Sequence, residues 1–152
     1  MKRLLAVFLV VVLLTACNNG SVDLSNVSAV DLATSIRESV AFVDDMLEVK
    51  DEIVTDFYPL PDGVIEMKVY MSSSGATAEE LAVFKCEDAE TAEAVIKACE
   101  NRIEALKEKF EDYIPAEIEK LENAVIQKRD CFVMFVCAND TAPAEECFEN
   151  YK

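Results

Sequence analysis

The chain has 152 residues and a formal net charge of −16, because 30 acidic residues outnumber 14 basic ones, and it contains no histidine. The acidic balance argues against nucleic acid as a partner, since phosphates require clustered Lys and Arg. The lack of histidine removes the usual general base, the hydrolase triads that depend on it and histidine metal sites, so we expect no metal and no other cofactor.

The first sixteen residues have the three parts of a secretory signal. Lys2 and Arg3 form a cationic start, the apolar stretch Leu4–Leu14 follows, and small residues precede the cleavage site. The eleven residues of this stretch are too few to span a membrane, which takes a helix of about 20 residues. We therefore predict that residues 1–16 are a signal peptide.

The end of this signal has the order of a bacterial lipobox, namely a branched apolar residue, two small residues and a cysteine: Leu14, Thr15, Ala16 and Cys17. The order predicts lipid attachment at Cys17, where two or more acyl chains such as palmitate would anchor the mature chain stably. An ordinary signal followed by a chance cysteine is the alternative. Residues 17–27 would then be the lipidated cysteine and a short polar tether. The predicted location is the extracytoplasmic face of the cell membrane.

Loss of the signal leaves 136 residues and a charge of −18, because two basic residues leave with it. This length suits one domain, which we place at residues 28–152. Anionic lipid repels an acidic domain, so we expect contact with the membrane only through the lipid on Cys17.

Two helices are predicted at the start of this domain. The apolar spacing from Ser28 to Val43 is typical of an amphipathic helix, with Ser25 or Ser28 as its cap. A short helical segment follows at about residues 50–57 and ends before the prolines and the glycine of residues 58–63.

The pattern then changes to the period of a strand. Residues 64–71 alternate between apolar and polar, and residues 80–86 alternate again after a serine-rich turn, which predicts an antiparallel hairpin. Asp88 is a predicted cap for a long helix, whose apolar stripe continues to Tyr113, and Pro115 ends the pattern.

A short helical or irregular piece at residues 116–123 leads to two further predicted strands, 124–128 and 131–138, joined at Arg129-Asp130. That joint is not a favoured two-residue turn, so we expect a slightly longer or strained loop. The second strand is apolar on both faces, which favours a central position in the sheet. A closing helix begins near Asp140.

This grouping predicts an α+β domain. We expect a mainly antiparallel sheet of four strands, made from two hairpins, with the long helix and shorter N- and C-terminal helices packed on it. The strand order is not predicted.

Several segments together resemble the uncharacterised lipoprotein family known as domain of unknown function 4358, typical of Gram-positive anaerobes. The resemblance covers most of residues 28–150 and includes the tethered cysteine, the strands Val69–Ser72 and Ala78–Lys85, the helix with Arg102, the ending Phe110–Pro115 and the stretch Asn123–Ile126. A glycine-containing turn would be more usual in the family than Arg129-Asp130. The resemblance implies a fold and a location but no activity.

Glu80, Arg102 and Tyr113 are the candidate site residues of the domain. Strict alternation places Glu80 on the strand face of Ala82, Phe84 and Cys86. Arg102 lies about 70° from the middle of the apolar stripe of the long helix, so it can lie over the same sheet. We predict a contact between Glu80 and Arg102, as a structural ion pair or, alternatively, as a ligand-binding pair.

Five cysteines follow Cys17, without any Cys-x-x-Cys pair: Cys86, Cys99, Cys131, Cys137 and Cys147. Cys131 and Cys137 cannot pair with each other, because six residues of strand separate them by about 20 Å. Free core thiols and one or two disulfides both remain open.

Two functional classes fit these features. A non-catalytic binding or accessory lipoprotein of the cell envelope needs only a tether, a stable domain and a surface that recognises a protein, peptide or envelope component. The alternative is an envelope hydrolase whose carboxylate pair forms only in the folded protein. No catalytic residue is singled out, so we expect the binding module.

Overall fold

The computed structural model describes Leu24 and residues 26–152. The predicted signal peptide, Cys17 and most of the predicted tether therefore lie outside the described residues. Within the described part of the chain, no helix is both long enough and apolar enough to cross a membrane.

Five helices and five strands follow one another along these residues. In chain order they are α1 (Ala29–Ser39), β1 (Met46–Val49), α2 (Asp51–Phe57), β2 (Val64–Ser72), β3 (Glu80–Cys86), α3 (Ala89–Glu111), α4 (Glu117–Glu122), β4 (Val125–Arg129), β5 (Phe132–Cys137) and α5 (Ala142–Asn150). The predicted α+β class is confirmed.

The strands form one sheet in the order β1-β2-β3-β5-β4, and every neighbouring pair is antiparallel. The predicted number of four strands is wrong, because β1 adds a fifth at the edge, where Met46 pairs with Ser72 and Val49 with Val69. This strand has only four residues, and the residues that pair with it lie 20 to 26 positions further along the chain. Its own sequence is too short for a clear period of two.

Helices cover both faces of the sheet. On one face, α3 and α4 pack on alternate residues of β3 and β5 that include Ala82, Phe84 and Phe135. On the other face, α1 and α5 pack on the residues between them, such as Leu81 and Met134. Both faces of β5 are fully buried, which confirms its predicted central position.

Side-chain caps determine where two of the helices begin. Ser28 caps α1 and accepts hydrogen bonds from the backbone of Val30 and Asp31, and Asp88 caps α3 through Thr91. Both caps agree with the prediction. The first helix is shorter than predicted, because it ends at Ser39.

The turn between β4 and β5 agrees with only one of the two predicted alternatives, because it is not a longer loop but does contain a strained backbone conformation. Arg129 pairs with Phe132, so the loop consists of two residues, Asp130 and Cys131. A longer loop is therefore not needed. Asp130 has a φ of 53°, a left-handed conformation that Asp tolerates better than most residues.

Candidate functional site

Glu80 and Arg102 form a buried ion pair between the sheet and α3. Arg102 donates from Nη2 to Glu80 Oε2 at 2.8 Å, and from Nε to Oε1 and Oε2 at 3.1 and 3.2 Å. The side chains are only 2% and 12% exposed for Glu80 and Arg102 respectively. The contact expected from the alternation of β3 and the helical angle of Arg102 is present in the structure.

Aromatic residues at the end of α2 complete this network. The Tyr58 hydroxyl donates to Glu80 Oε1 at 2.5 Å, and the guanidinium carbon of Arg102 lies 4.7 Å from the centre of the Phe57 ring. The Tyr58 ring also packs edge-on against Phe84, with 5.3 Å between ring centres. We call Tyr58, Glu80 and Arg102 the buried triad. The sequence offered no signal for Tyr58, because the segment that follows α2 has no regular period.

The electrostatics favour the protonated forms of two members of the triad, Tyr58 and Arg102. Burial, followed by the charge of Glu80, raises the pKa of Tyr58 well above its usual value. Burial alone would lower the pKa of Arg102, but the hydrogen bond to Glu80 and its charge raise it overall. At neutral pH the phenol and the guanidinium therefore both keep their protons, and neither acts as a base.

Glu79, the neighbour of Glu80, is a second buried carboxylate with partners of its own. The backbone N–H groups of Val43 and Asp44 donate to it at 2.9 to 3.0 Å. The Lys120 ammonium lies 3.7 Å from Glu79 and 2.9 Å from Glu117. The two buried acids thus lie beside different cations, and Glu79 shares Lys120 with Glu117.

A small cavity of about 170 Å³ adjoins the triad and is lined in part by Phe57, Met71 and Arg102. Ligand pockets usually have volumes of about 300 to 1,000 Å³. Tyr113, the third candidate from the sequence, does not line this cavity and is 66% exposed. The structure therefore brings Glu80 and Arg102 together and leaves Tyr113 apart.

A larger cleft of about 370 Å³ lies between α2 and the beginning of β2. Three acidic residues line it, namely Asp51, Asp62 and Glu66, together with the apolar residues Leu60, Pro61, Val64, Ile65 and Met67. Ile65 is 59% exposed. We call this feature the acidic cleft. Sequence reasoning missed it because its walls come from two elements that meet only in the fold.

Glu66 connects this cleft to the start of α1. Ser28 Oγ donates to one Glu66 oxygen at 2.7 Å, and the Ala29 N–H donates to the other at 2.8 Å. Burial alone would raise the pKa of Glu66, but these hydrogen bonds hold it below its usual value. The cleft therefore contains a carboxylate that stays ionised.

A second cleft of about 360 Å³, between α3 and α4, has a different chemistry. Its lysines and glutamates pair with each other on α3, with Lys97 2.7 Å from Glu100 and Lys107 2.9 Å from Glu104. Its charges are thus largely balanced, whereas the acidic cleft has no basic residue in its lining.

Residues 38–138 match the family model described as Domain of unknown function (DUF4358). The chain belongs to this family. The matched residues contain all five strands of the sheet, the buried triad and the acidic cleft, whereas α5 lies outside the match. No curated protein and no solved structure matches the chain.

The matched part also contains four of the five cysteines of this DUF4358 domain, and all five are free thiols. Burial raises the pKa of Cys137 to about 12 and that of Cys86 to about 11, which keeps these thiols protonated and poorly nucleophilic. Among the described residues, no group of His, Cys, Asp and Glu has an arrangement that would hold a metal ion.

Proposed function

We propose that this DUF4358 protein is a Gram-positive-type lipoprotein, held at the extracytoplasmic face of the cell membrane through Cys17. The support is the lipobox order that ends at Cys17, at the distance from Lys2 and Arg3 that a signal peptide requires. A mature charge of −18 keeps the domain itself away from anionic lipid.

We propose further that the domain is a non-catalytic binding module whose ligand is a basic segment of a protein or peptide in the cell envelope. The observation that carries this proposal is the acidic cleft, which combines exposed apolar surface at Ile65 with Asp51, Asp62 and an ionised Glu66. In a ligand whose Lys and apolar residues alternate, the Lys side chains would lie against the acids of the cleft. The apolar side chains would lie against Ile65 and Met67.

The hydrolase alternative requires two carboxylates with pKa values pushed apart, one protonated and one ionised. Among the described residues, the buried carboxylates are Glu79 and Glu80, and they are paired with different cations. Glu66 has a lowered pKa, whereas a general acid needs a raised one. These features favour binding over hydrolysis.

The tether is tested with Cys17→Ser. This variant lacks the acyl acceptor, so we expect it to lose metabolic labelling with a palmitate analogue and to be released or retained uncleaved. Cys147→Ser is the matched control and should keep the label. Unchanged labelling of Cys17→Ser would contradict lipid attachment at Cys17, and the binding proposal would be unaffected.

Binding is tested by calorimetric titration of residues 18–152 with a peptide of alternating Lys and Leu. We expect affinity that falls as salt rises, and a loss of about two- to fivefold in Asp62→Asn, as for one exposed charge contact. Glu108→Gln removes an exposed acid of α3 outside the cleft and should have little effect. Equal binding of a Glu-Leu peptide, or no effect of Asp62→Asn, would contradict the proposal.

A further inference from the structure

Cys86 and Cys131 lie opposite each other where β3 meets the β4–β5 turn. Cys86 is the last residue of β3, and Cys131 is the second residue of the turn. The last β3–β5 pair is Lys85 with Phe132, so the next pair in the same register is Cys86 with Cys131. The hydrogen bond from Cys86 N–H to the Cys131 carbonyl, at 2.8 Å, shows that the register continues.

This position has the backbone geometry of a disulfide. Cys86 and Cys131 are joined by one backbone hydrogen bond. Residues directly opposite each other in an antiparallel pair have Cα atoms about 4.5 to 5.5 Å apart, which lies within the range of about 4.4 to 6.8 Å found across disulfides. Cys86 belongs to the core cluster on the sheet face that α3 covers, and Cys131 packs against this cluster and also against the cluster on the other face. A bond between the two sulfur atoms thus requires rotation of the side chains rather than movement of the backbone.

The other cysteines lie in different places. Cys137 is about 20 Å along β5 from Cys131. Cys99 shares the core cluster of Cys86 and lies close enough to interact with it, but it belongs to α3 and not to a neighbouring strand. Cys147 lies on α5, against the opposite face. Among the described residues, only Cys86 and Cys131 are opposed across two strands.

We propose that Cys86 and Cys131 are a redox site that forms a reversible cross-strand disulfide by exchange with a low-molecular-weight disulfide such as oxidised glutathione. The site is distinct from the acidic cleft and does not depend on the proposed binding function. It also explains why a half-buried thiol occupies a tight turn in a protein whose signal directs it out of the cytoplasm.

The exposures of the two thiols set the order of the reaction. Cys131 is half-buried and Cys86 is buried, with a pKa that burial and then the neighbouring Cys131 raise to about 11. The Cys131 thiolate attacks oxidised glutathione, forms a mixed disulfide and releases one glutathione thiolate. Cys86 then loses its proton and attacks the Cys131 sulfur, which releases the second glutathione. The protein loses two protons and two electrons, and oxidised glutathione is reduced to two glutathione molecules.

The test uses the full-length chain with Cys17→Ser, purified in detergent, which retains five thiols. After incubation with oxidised glutathione, we expect the number of alkylatable thiols to fall from five to three. Peptide mapping should recover the segment with Cys86 linked to the segment with Cys131, and dithiothreitol should restore all five thiols. Cys131→Ser should abolish the link, whereas Cys147→Ser, which removes another half-buried thiol, should preserve it.

The mapping of the Cys17→Ser chain decides the proposal even if a further cysteine variant fails to fold. Five alkylatable thiols after oxidation would overturn it. A link through Cys99, Cys137 or Cys147, or glutathione retained on Cys131 without a cross-link, would overturn it as well.

Discussion

The two ends of β3 hold reactive groups in contrasting surroundings. At its first residue, the Glu80 carboxylate is buried and already bonded to Tyr58 and Arg102. At its last residue, the Cys86 thiol is equally buried, yet its sulfur is not bonded to that of Cys131, and only the two backbones are joined by a hydrogen bond. The first residue of β3 thus carries a carboxylate that is already paired, and its last residue carries a thiol that has not reacted.

The difference follows from the cost of burial. An isolated carboxylate is too costly to remove from water, so the fold must supply its cation and its hydrogen bonds. A thiol is a small, nearly apolar group that can be buried without a partner. Glu80, at the first residue of β3, therefore stabilises the fold. Cys86, at the last residue of β3, can still react after the protein has folded.

Removal of the cation that pairs with Glu80 should have the largest effect on the free energy of unfolding. Arg102→Met leaves the Glu80 carboxylate buried without its cation, so we expect a loss of about 3 to 5 kcal/mol in the free energy of unfolding. Urea denaturation measures this loss. Adding Glu80→Gln to Arg102→Met should recover part of it, because the uncompensated charge is removed as well.

The matched control is the exposed pair of Lys97 and Glu100, whose side chains are 69% and 50% exposed. Lys97→Met should change the free energy of unfolding by less than about 0.5 kcal/mol. Equal losses in Arg102→Met and Lys97→Met would show that burial of the ion pair has no energetic consequence.

Disulfide formation at Cys86 should raise the free energy of unfolding, by somewhat less than Arg102→Met lowers it. A disulfide between Cys86 and Cys131 closes a long loop that contains all of α3, so we expect the oxidised form to gain about 2 to 4 kcal/mol. Denaturation of oxidised and reduced protein measures the gain. It should vanish in Cys131→Ser, and a gain that survives there would assign the effect to another thiol.

Tyr58→Phe tests how much the Tyr58 hydroxyl contributes to the triad, because it removes one hydrogen bond and keeps the ring contact with Phe84. The lost bond goes to a charged group, so we expect a loss of about 2 kcal/mol. Tyr70→Phe is the control, since the hydroxyl of Tyr70 makes a long contact of 3.5 Å with the hydroxyl of Thr34. If both variants lose equal stability, the Tyr58 hydroxyl has no special role.

The smallest expected effect is a pH dependence near the Glu80 end. Burial alone would raise the pKa of Glu117, but hydrogen bonds from the Ala78 N–H and Lys120 hold it below its usual value of 4.5. Its stabilisation is therefore complete above the unfolded pKa, and it is lost as the pH falls through the lower folded value. Glu117→Gln should reduce the loss of stability between about pH 5 and pH 3 by less than about 1 kcal/mol. An unchanged pH profile would contradict this role for Glu117.

Local patterns in the sequence predicted the features that depend on one element at a time. The alternation of residues 80–86 predicted the face of Glu80, and the helical turn predicted the reach of Arg102, because both are set by backbone periodicity. Asp88 was recognisable as a cap for the same reason, since its hydrogen bonds go to the residues that directly follow it in α3.

Three of the missed features depend on contacts between segments that are far apart in the chain. β1 forms only by pairing with the end of β2, and Tyr58 reaches Glu80 only after α2 has packed beside the sheet. The opposition of Cys86 and Cys131 arises because β5 inserts between β3 and β4 after the long crossover through α3. No local period encodes such a register, so the thiol pair became visible only in the fold.

The central claim is that Glu80 and Arg102 hold the domain together and do not perform catalysis. The most direct measurement screens residues 18–152 for turnover of glycan, ester and peptide substrates, beside the Glu80→Gln/Arg102→Met double variant whose fold is verified by circular dichroism. We predict no turnover by either protein, and equal binding of the Lys-Leu peptide by both. Turnover by the wild type that disappears in the folded double variant would contradict the account.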